Sequence, residues 1–343
     1  MILLIAVLGG IIASALVTAQ ALRLLGRRGV LDVPNHRSSH QIPTVRGGGI
    51  GLAFGTLVAL AIDRSRSFGS TDVALFVAGI SFGTIGFVDD LTSGISIRTR
   101  MVLQLVAALI VMTLIRSHHS FGVVPLVLAG FLVTVWIISF VNAFNFMDGI
   151  NGISCAEGIV AGVTIGLIAR YEHQYALQAA AFTLAAGAIG FAPFNYPKAR
   201  LFLGDVGSYF MGSWIATMVV IGLQASIPVE AMFAPVVLYM ADTGLTLARR
   251  VLRHEAWHEA HRQHTYQQLV DRGWSHTQTT GLVFVVVALS SALGSISLFD
   301  SIQARLVADV GIAVLTVGYL TLPSLIDHFW DETSSPGHVA SDG

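Results

Sequence analysis

The sequence predicts an all-α polytopic membrane protein, and three observations carry that prediction. Hydrophobic residues make up 54% of the 343 and charged residues only 11%, where a soluble domain carries roughly 25% charge. Mean hydropathy is +0.73. The apolar residues fall into long runs, and a helical span needs roughly 17–25 of them.

Counted this way the chain predicts about 11 transmembrane helices: 2–22, 47–62, 72–88, 101–115, 121–141, 153–169, 174–194, 207–223, 228–248, 280–299 and 306–326. The first run has no basic segment before it and is long enough to span, so it reads as a helix rather than a cleavable signal. The run 72–88 closes on Asp89-Asp90. The run 121–141 leads directly into Asn142, Asn145 and Asp148, and 207–223 follows the turn FLGDVGS. Glycines within the runs let helices approach closely and predict a tight bundle. One domain, 1–326, is expected, followed by a cytoplasmic tail, 327–343, whose acidic part from Asp331 onward is expected to be disordered. Cys155 is the single cysteine, which excludes an internal disulfide and reads as helix packing.

Basic residues set the orientation. With alternating loops, 14 of the 19 arginines and lysines fall on one side and 5 on the other. The richer side is cytoplasmic, which predicts the N-terminus outside and the C-terminus inside. The polar clusters all fall on that same side. They are the loop PNHRSSHQIPTVRGGG at 34–49, Asp89-Asp90 with Arg98 and Arg100, Asn142/Asn145/Asp148, Gly204-Asp205, Asp242, Arg249-Arg250 and HRQHTYQ at 261–267. A transporter places ionisable groups near the bilayer midplane. Here they stand at helix ends, the pattern of an enzyme working at the inner membrane face.

Each cluster has a chemistry and a plainer alternative. Asn142, Asn145 and Asp148, spaced i, i+3, i+6, share about a third of a helix circumference; they suit a cation or a phosphate ligand, or bond neighbouring helices. Asp89 and Asp90 repel one another unless a metal or Arg98 and Arg100 stands near, or they are solvated acids at a helix end. Asp205 lies between Gly204 and Gly207, where backbone amides can approach a ligand and an acid can hold a phosphate-bound metal; a turn aspartate is the plainer reading. His254, His258, His261 and His264 have helical spacing, but no cysteine or carboxylate set completes a zinc site. Facing a phosphate suits that loop better, as it does RSSHQIPTVRGGG, which lacks P-loop spacing. Acids for a metal and arginines for anions at one face imply phosphoryl transfer involving a lipid.

Seven motifs in order, PTVRGGG, GFVDD, SIRTR, NAFNFMDGING, FLGDVGS, ADTGLTLARR and RQHTYQ, run from about residue 23 to 270. Through them the chain resembles the polyprenyl-phosphate N-acetylhexosamine-1-phosphate transferases, membrane phosphoglycosyltransferases of the glycosyltransferase family 4 type. The resemblance implies Mg²⁺, with Mn²⁺ as the alternative metal, and transfer of a sugar-1-phosphate from a UDP-sugar to undecaprenyl phosphate with release of UMP. It implies Asp205 and Asn145 as metal ligands. The catalytic set is expected to comprise Asp89, Asp90, Asn142, Asp148 and Asp205. The substrate-binding set is Arg46, Arg100, Asn151, Phe202, Arg249, Arg250, Arg262, His264 and Tyr266; within it Arg100 faces the lipid phosphate, Phe202 stacks on uracil, and Arg262 and His264 face the diphosphate. A phosphate monoester has its second pKa near ~6, so charge neutralisation and in-line placement are expected to matter more than a general base.

Departures refine the expectation. The loop reads HRQHTYQ rather than a triple histidine, and DGING places Asn151 where the peptidoglycan branch has an acid. Both point to the O-antigen- or capsule-initiating branch in a bacterial inner membrane, with a 6-deoxy N-acetyl sugar among the candidate donors. Partners are then the lipid, the UDP-sugar and the bilayer. No nucleic acid is expected, and a homodimer is an expectation of the resemblance alone. Two other classes are weighed against this: a flippase or transporter, for which Glu157, Asp242 and Asp309 form no polar file, and an inactive scaffold, which would be expected to lose the acids retained here.

Overall fold

The structure is a computed structural model describing residues 1–34, 39, 42–63, 67–92, 94–116, 126–255 and 262–334. Its helices are α1 (Ile2–Arg27), α2 (Gly49–Ile62), α3 (Ser70–Leu91), α4 (Ile97–Arg116), α5 (Leu126–Met147), α6 (Ile153–Tyr171), α7 (Tyr175–Asn195), α8 (Gly204–Gln224), α9 (Val229–Phe233), α10 (Val237–Leu252), α11 (Thr265–Asp271), α12 (His276–Ser295) and α13 (Ile302–Ser334). A two-stranded antiparallel ribbon, β1 (Leu31–Asp32) with β2 (Thr44–Val45), lies between α1 and α2. This is an all-α polytopic membrane protein.

Among the described residues, nine helical segments are long and apolar enough to cross a bilayer. Two of the eleven expected spans fall short. The run 47–62 forms α2, only 14 residues, or about 21 Å at 1.5 Å per residue, against a hydrocarbon core of about 30 Å. The run 228–248 breaks into the five-residue α9 and the sixteen-residue α10. Pro235 lies in the break, where its missing N–H and its ring prevent one continuous helix. At the C-terminus α13 continues to Ser334, and 335–343 lie outside the described residues.

The central element is α8, with 16 of its 21 residues buried. It packs against α3, α5 and α2 and reaches α6 and α7. By contrast α1 buries mainly small residues at helical spacing, Ala6, Gly10, Ser14, Thr18 and Ala21, and exposes Leu4, Ile5, Leu8, Ile12 and Leu16. That division suits one face against the bundle and one against lipid tails. Gly10 permits the approach: a Cβ there would lie 2.6 Å from that of Ala59. Ser14 satisfies its hydroxyl by donating to the Gly187 carbonyl on α7, 2.8 Å away.

Polar groups at and near the helix ends bond one another. The Gly152 N–H at the start of α6 donates to Asn195 Oδ1 at the end of α7, at 2.7 Å. Thr280 on α12 donates to the Asn151 carbonyl at 2.8 Å. Arg272, just after α11, grips Asp327 on α13 with two hydrogen bonds of 2.7 and 2.6 Å.

Candidate active site

The site begins with a backbone arrangement. The segment around β2 runs beside Leu201–Leu203: Phe202 N–H donates to Val45 O, Gly48 N–H to Phe202 O and Gly49 N–H to Leu203 O, each at 2.8 Å. This pairing carries Arg46 to the first turn of α8. On the other side α3 crosses α8 at Gly86, where a Cβ would run into the Asp205 carbonyl group. Gly204 takes a positive φ of 75°, and a Cβ there would sit 2.5 Å from Asp90 Oδ2. No side chain larger than hydrogen fits either position. Gly86→Ala should therefore displace α3 from α8 at a cost of about 1–3 kcal/mol in stability, read as a lower unfolding midpoint.

The two adjacent acids have different tasks. Asp90 accepts hydrogen bonds from the N–H groups of Asp205 and Val206, both at 3.0 Å, and from Arg46 Nε at 2.5 Å. It therefore caps α8 from another helix, meeting orphan donors of the first turn and complementing the positive end of its dipole. Asp89 accepts from the Ile95 N–H at 2.6 Å and pairs with Arg100 at 2.9 Å. Asp205 is bonded to Arg46 at 3.0 Å and accepts from Asn145 Nδ2 at 2.9 Å. Burial opposes the charge of Arg46, but Asp205 and Asp90 more than restore it, so its pKa is raised.

Accessibility separates the three carboxylates: the Asp205 side chain is 19% exposed, Asp90 2% and Asp89 3%. Asp205 is the one best placed to meet a ligand. Mg²⁺ usually takes one or two protein carboxylates, filling its other positions with phosphate oxygens and water. Asp205 fits that need, and Asn145, whose amide nitrogen bonds Asp205 and Ser208, keeps its amide oxygen as the atom it would offer a cation. Among the described residues no group of three or more His, Cys, Asp or Glu side chains forms a closed metal cage, and a cation shared with phosphates does not require one.

Other expected residues surround this centre. Asn142 donates to Gln104 Oε1 and to the Ile138 carbonyl, both at 2.7 Å, and so bonds α5 to α4. Asp148 accepts from the Ser154 hydroxyl at 2.7 Å. Loss of hydration pushes its carboxyl up to about 6, with the Ser154 bond opposing and nearby Asp90 adding to the rise. The folded state then holds a proton that the unfolded chain has released, so stability should fall as pH rises from about 4 to about 6. Asp148→Asn should remove that portion of the slope, checked by unfolding midpoints across the window.

Asn151 is held by the loop framework: its side chain donates to Pro197 O at 3.1 Å. Phe202 is partly exposed, and Arg249 is exposed. Arg250 is buried and paired with Glu255 at 3.1 Å, and Arg262 pairs with Asp271 at 2.5 Å. His264 and Tyr266, expected to face substrate, lie inside the protein at 3% and 0% exposure. The reason is Asp242, which offers buried acceptors to this segment. His258 and His261 lie outside the described residues. Sequence reasoning missed Ser208, which accepts from Asn145 at 2.8 Å, and Ser154; Ser208 sits one helical turn after Asp205, which was the available signal, whereas Ser154 meets Asp148 across the turn between α5 and α6.

Fold and site together define a membrane-embedded protein with a carboxylate–arginine centre at the ends of its helices. The family model described as glycosyl transferase family 4 matches residues 73–223. A Bacillus subtilis protein described as a probable undecaprenyl-phosphate N-acetylglucosaminyl 1-phosphate transferase is 24% identical over 318 residues, 87% of each chain. A Mycobacterium leprae decaprenyl-phosphate N-acetylglucosaminephosphotransferase is 25% identical, covering 92% of this chain and 89% of its own. A Streptococcus pyogenes phospho-N-acetylmuramoyl-pentapeptide-transferase is 31% identical over 206 residues, 54% of this chain and 61% of its own. Over most of its length the chain is thus similar to polyprenyl-phosphate N-acetylglucosamine-1-phosphate transferases, and its segment 73–223 to glycosyl transferase family 4.

Proposed function

We propose that the protein transfers a sugar-1-phosphate from a UDP-N-acetylhexosamine to undecaprenyl phosphate. An oxygen of the lipid phosphate forms a bond to the β-phosphorus, the bond from that phosphorus to the bridging oxygen breaks, and UMP leaves with the electron pair. The observation that carries this is the Arg46–Asp90–Asp205 junction, with Asn145 on Asp205 and Arg100 on Asp89. It supplies oxygen ligands and two guanidinium groups for anions at one end of a membrane bundle.

In this reading Asp205 and Asn145 hold Mg²⁺, which neutralises the diphosphate charge when bound. Arg100 faces the lipid phosphate, and Arg46 meets phosphate oxygens from its seat on Asp90. Phe202 offers a partly exposed ring for the uracil, and Arg249 and Arg262 line the donor side. Positioning and charge neutralisation are the main sources of rate in phosphoryl transfer, and no side chain need take a proton from a phosphate that is already ionised. The asymmetry of arginines supports a cytoplasmic site. Asn151 and the HRQHTYQ segment support a branch that initiates a surface polysaccharide such as O-antigen or capsule, with 6-deoxy N-acetyl sugars among the donors.

The test is UMP release by the purified protein with undecaprenyl phosphate, Mg²⁺ and a panel of UDP-N-acetyl sugars. Release with one donor, lost on chelation, is the expected result. Silence across the panel, with folded protein and dispersed lipid verified, would overturn the reading.

A further inference from the structure

A second polar network lies behind the carboxylate centre. Asp242 on α10, 1% exposed, receives the Thr265 N–H on both carboxylate oxygens at 3.0 Å and the Tyr319 hydroxyl at 3.1 Å. His264 Nδ1 and the Thr246 hydroxyl each stand 3.3 Å from its Oδ1. One carboxylate thus gathers α10, α11 and α13. A buried acid is costly without such partners, and these also fix where α11 begins.

The network continues toward the centre. Tyr266 stacks on His264, ring centroids 5.9 Å apart and planes within 9°. Its hydroxyl donates to the Phe146 carbonyl at 2.9 Å, in the last turn of α5 where carbonyls lack helical partners. Gly149 lies so close beneath the phenol that a Cβ would strike it. Asn145 precedes Phe146, and the Asp148 N–H donates to the Asn145 carbonyl at 3.2 Å.

We infer that Asp242 is a positioning residue: through His264, Thr265 and Tyr266 it sets the last turn of α5, and with it Asn145 and Asp148. The kinetic consequence rests on the transfer reading above. His264 then acts from within the protein, as a ring stacked between Phe146 and Tyr266. Asp242→Asn keeps the volume but turns an amide donor toward a site where both oxygens accept, so the start of α11 must shift. Tyr266→Phe removes only the tie to Phe146.

The experiment is a double-mutant cycle of Asp242→Asn and Tyr266→Phe, read in steady-state kinetics and in thermal unfolding midpoints of the full-length protein. Each single change should lower kcat by about tenfold or more, as misplacement of reacting groups does, while KM for the UDP-sugar stays within about threefold. Losses in the double variant should be sub-additive in both readouts, because the two residues act through one chain of contacts. Additive losses, or an effect confined to KM, would overturn the inference. If the wild type transfers nothing, the transfer reading fails, and the midpoint cycle alone decides this one by the same criterion. Should Asp242→Asn not fold, Tyr319→Phe, which removes one donor to the same carboxylate, takes its place.

Discussion

Asp205→Ala should reduce sugar-phosphate transfer on the order of a thousandfold, a loss typical of removing a principal charge-stabilising group, and leave the fold intact. The expectation follows from which atoms are used. The cap that Asp90 provides to α8 engages the main-chain N–H of residue 205, which alanine retains. What disappears is the carboxylate that faces Arg46 and Asn145. UMP release and the unfolding midpoint, measured on the same preparation, check both halves. A midpoint that collapses with activity would make Asp205 a structural residue.

Asp90→Asn should behave differently, losing both activity and stability. The substitution places an amide donor where the N–H groups of Asp205 and Val206 and the Arg46 guanidinium all donate. Loss of a helix cap and of a buried acceptor costs about 2 kcal/mol, and Arg46 loses its seat. Activity should fall by about a hundredfold, with a lower unfolding midpoint. If Asp90 instead served chiefly as a metal ligand or base, activity would vanish while the midpoint held. The pair of variants therefore separates the acid that meets the ligand from the acid that builds the helix start.

Much of the site was legible because polar residues stand out in an apolar chain. Asp89, Asp90, Asn145, Asp205, Arg46 and Arg100 were all named from sequence, and the structure brings them together at neighbouring helix ends. Their division of labour was not legible. Asp90 and the N–H it caps are 115 residues apart, and no local pattern announces a cap supplied by another helix. The interruption of α9 and α10 was written in Pro235 and passed over, because the hydropathy of 228–248 is insensitive to a missing N–H. The burial of His264 and Tyr266 depended on Asp242, which the sequence placed among the polar clusters at helix ends without showing which segment it would hold. Composition shows that a loop is polar; it does not show which of its side chains turns inward.

The contact of Gly86 with the carbonyl of Asp205 has a practical corollary for redesign. Where two helices meet main chain to main chain, tolerance is measured in tenths of an ångström, and no choice of rotamer can absorb an error. Changing the sugar that such a transferase accepts should therefore leave α3 and the start of α8 untouched. On the proposed reading, the parts to vary are the side chains of Asn151, Phe202 and Arg249, with the main chain that carries them left in place. A donor-swapped enzyme would be built by exchanging those side chains on an unchanged pair of crossed helices.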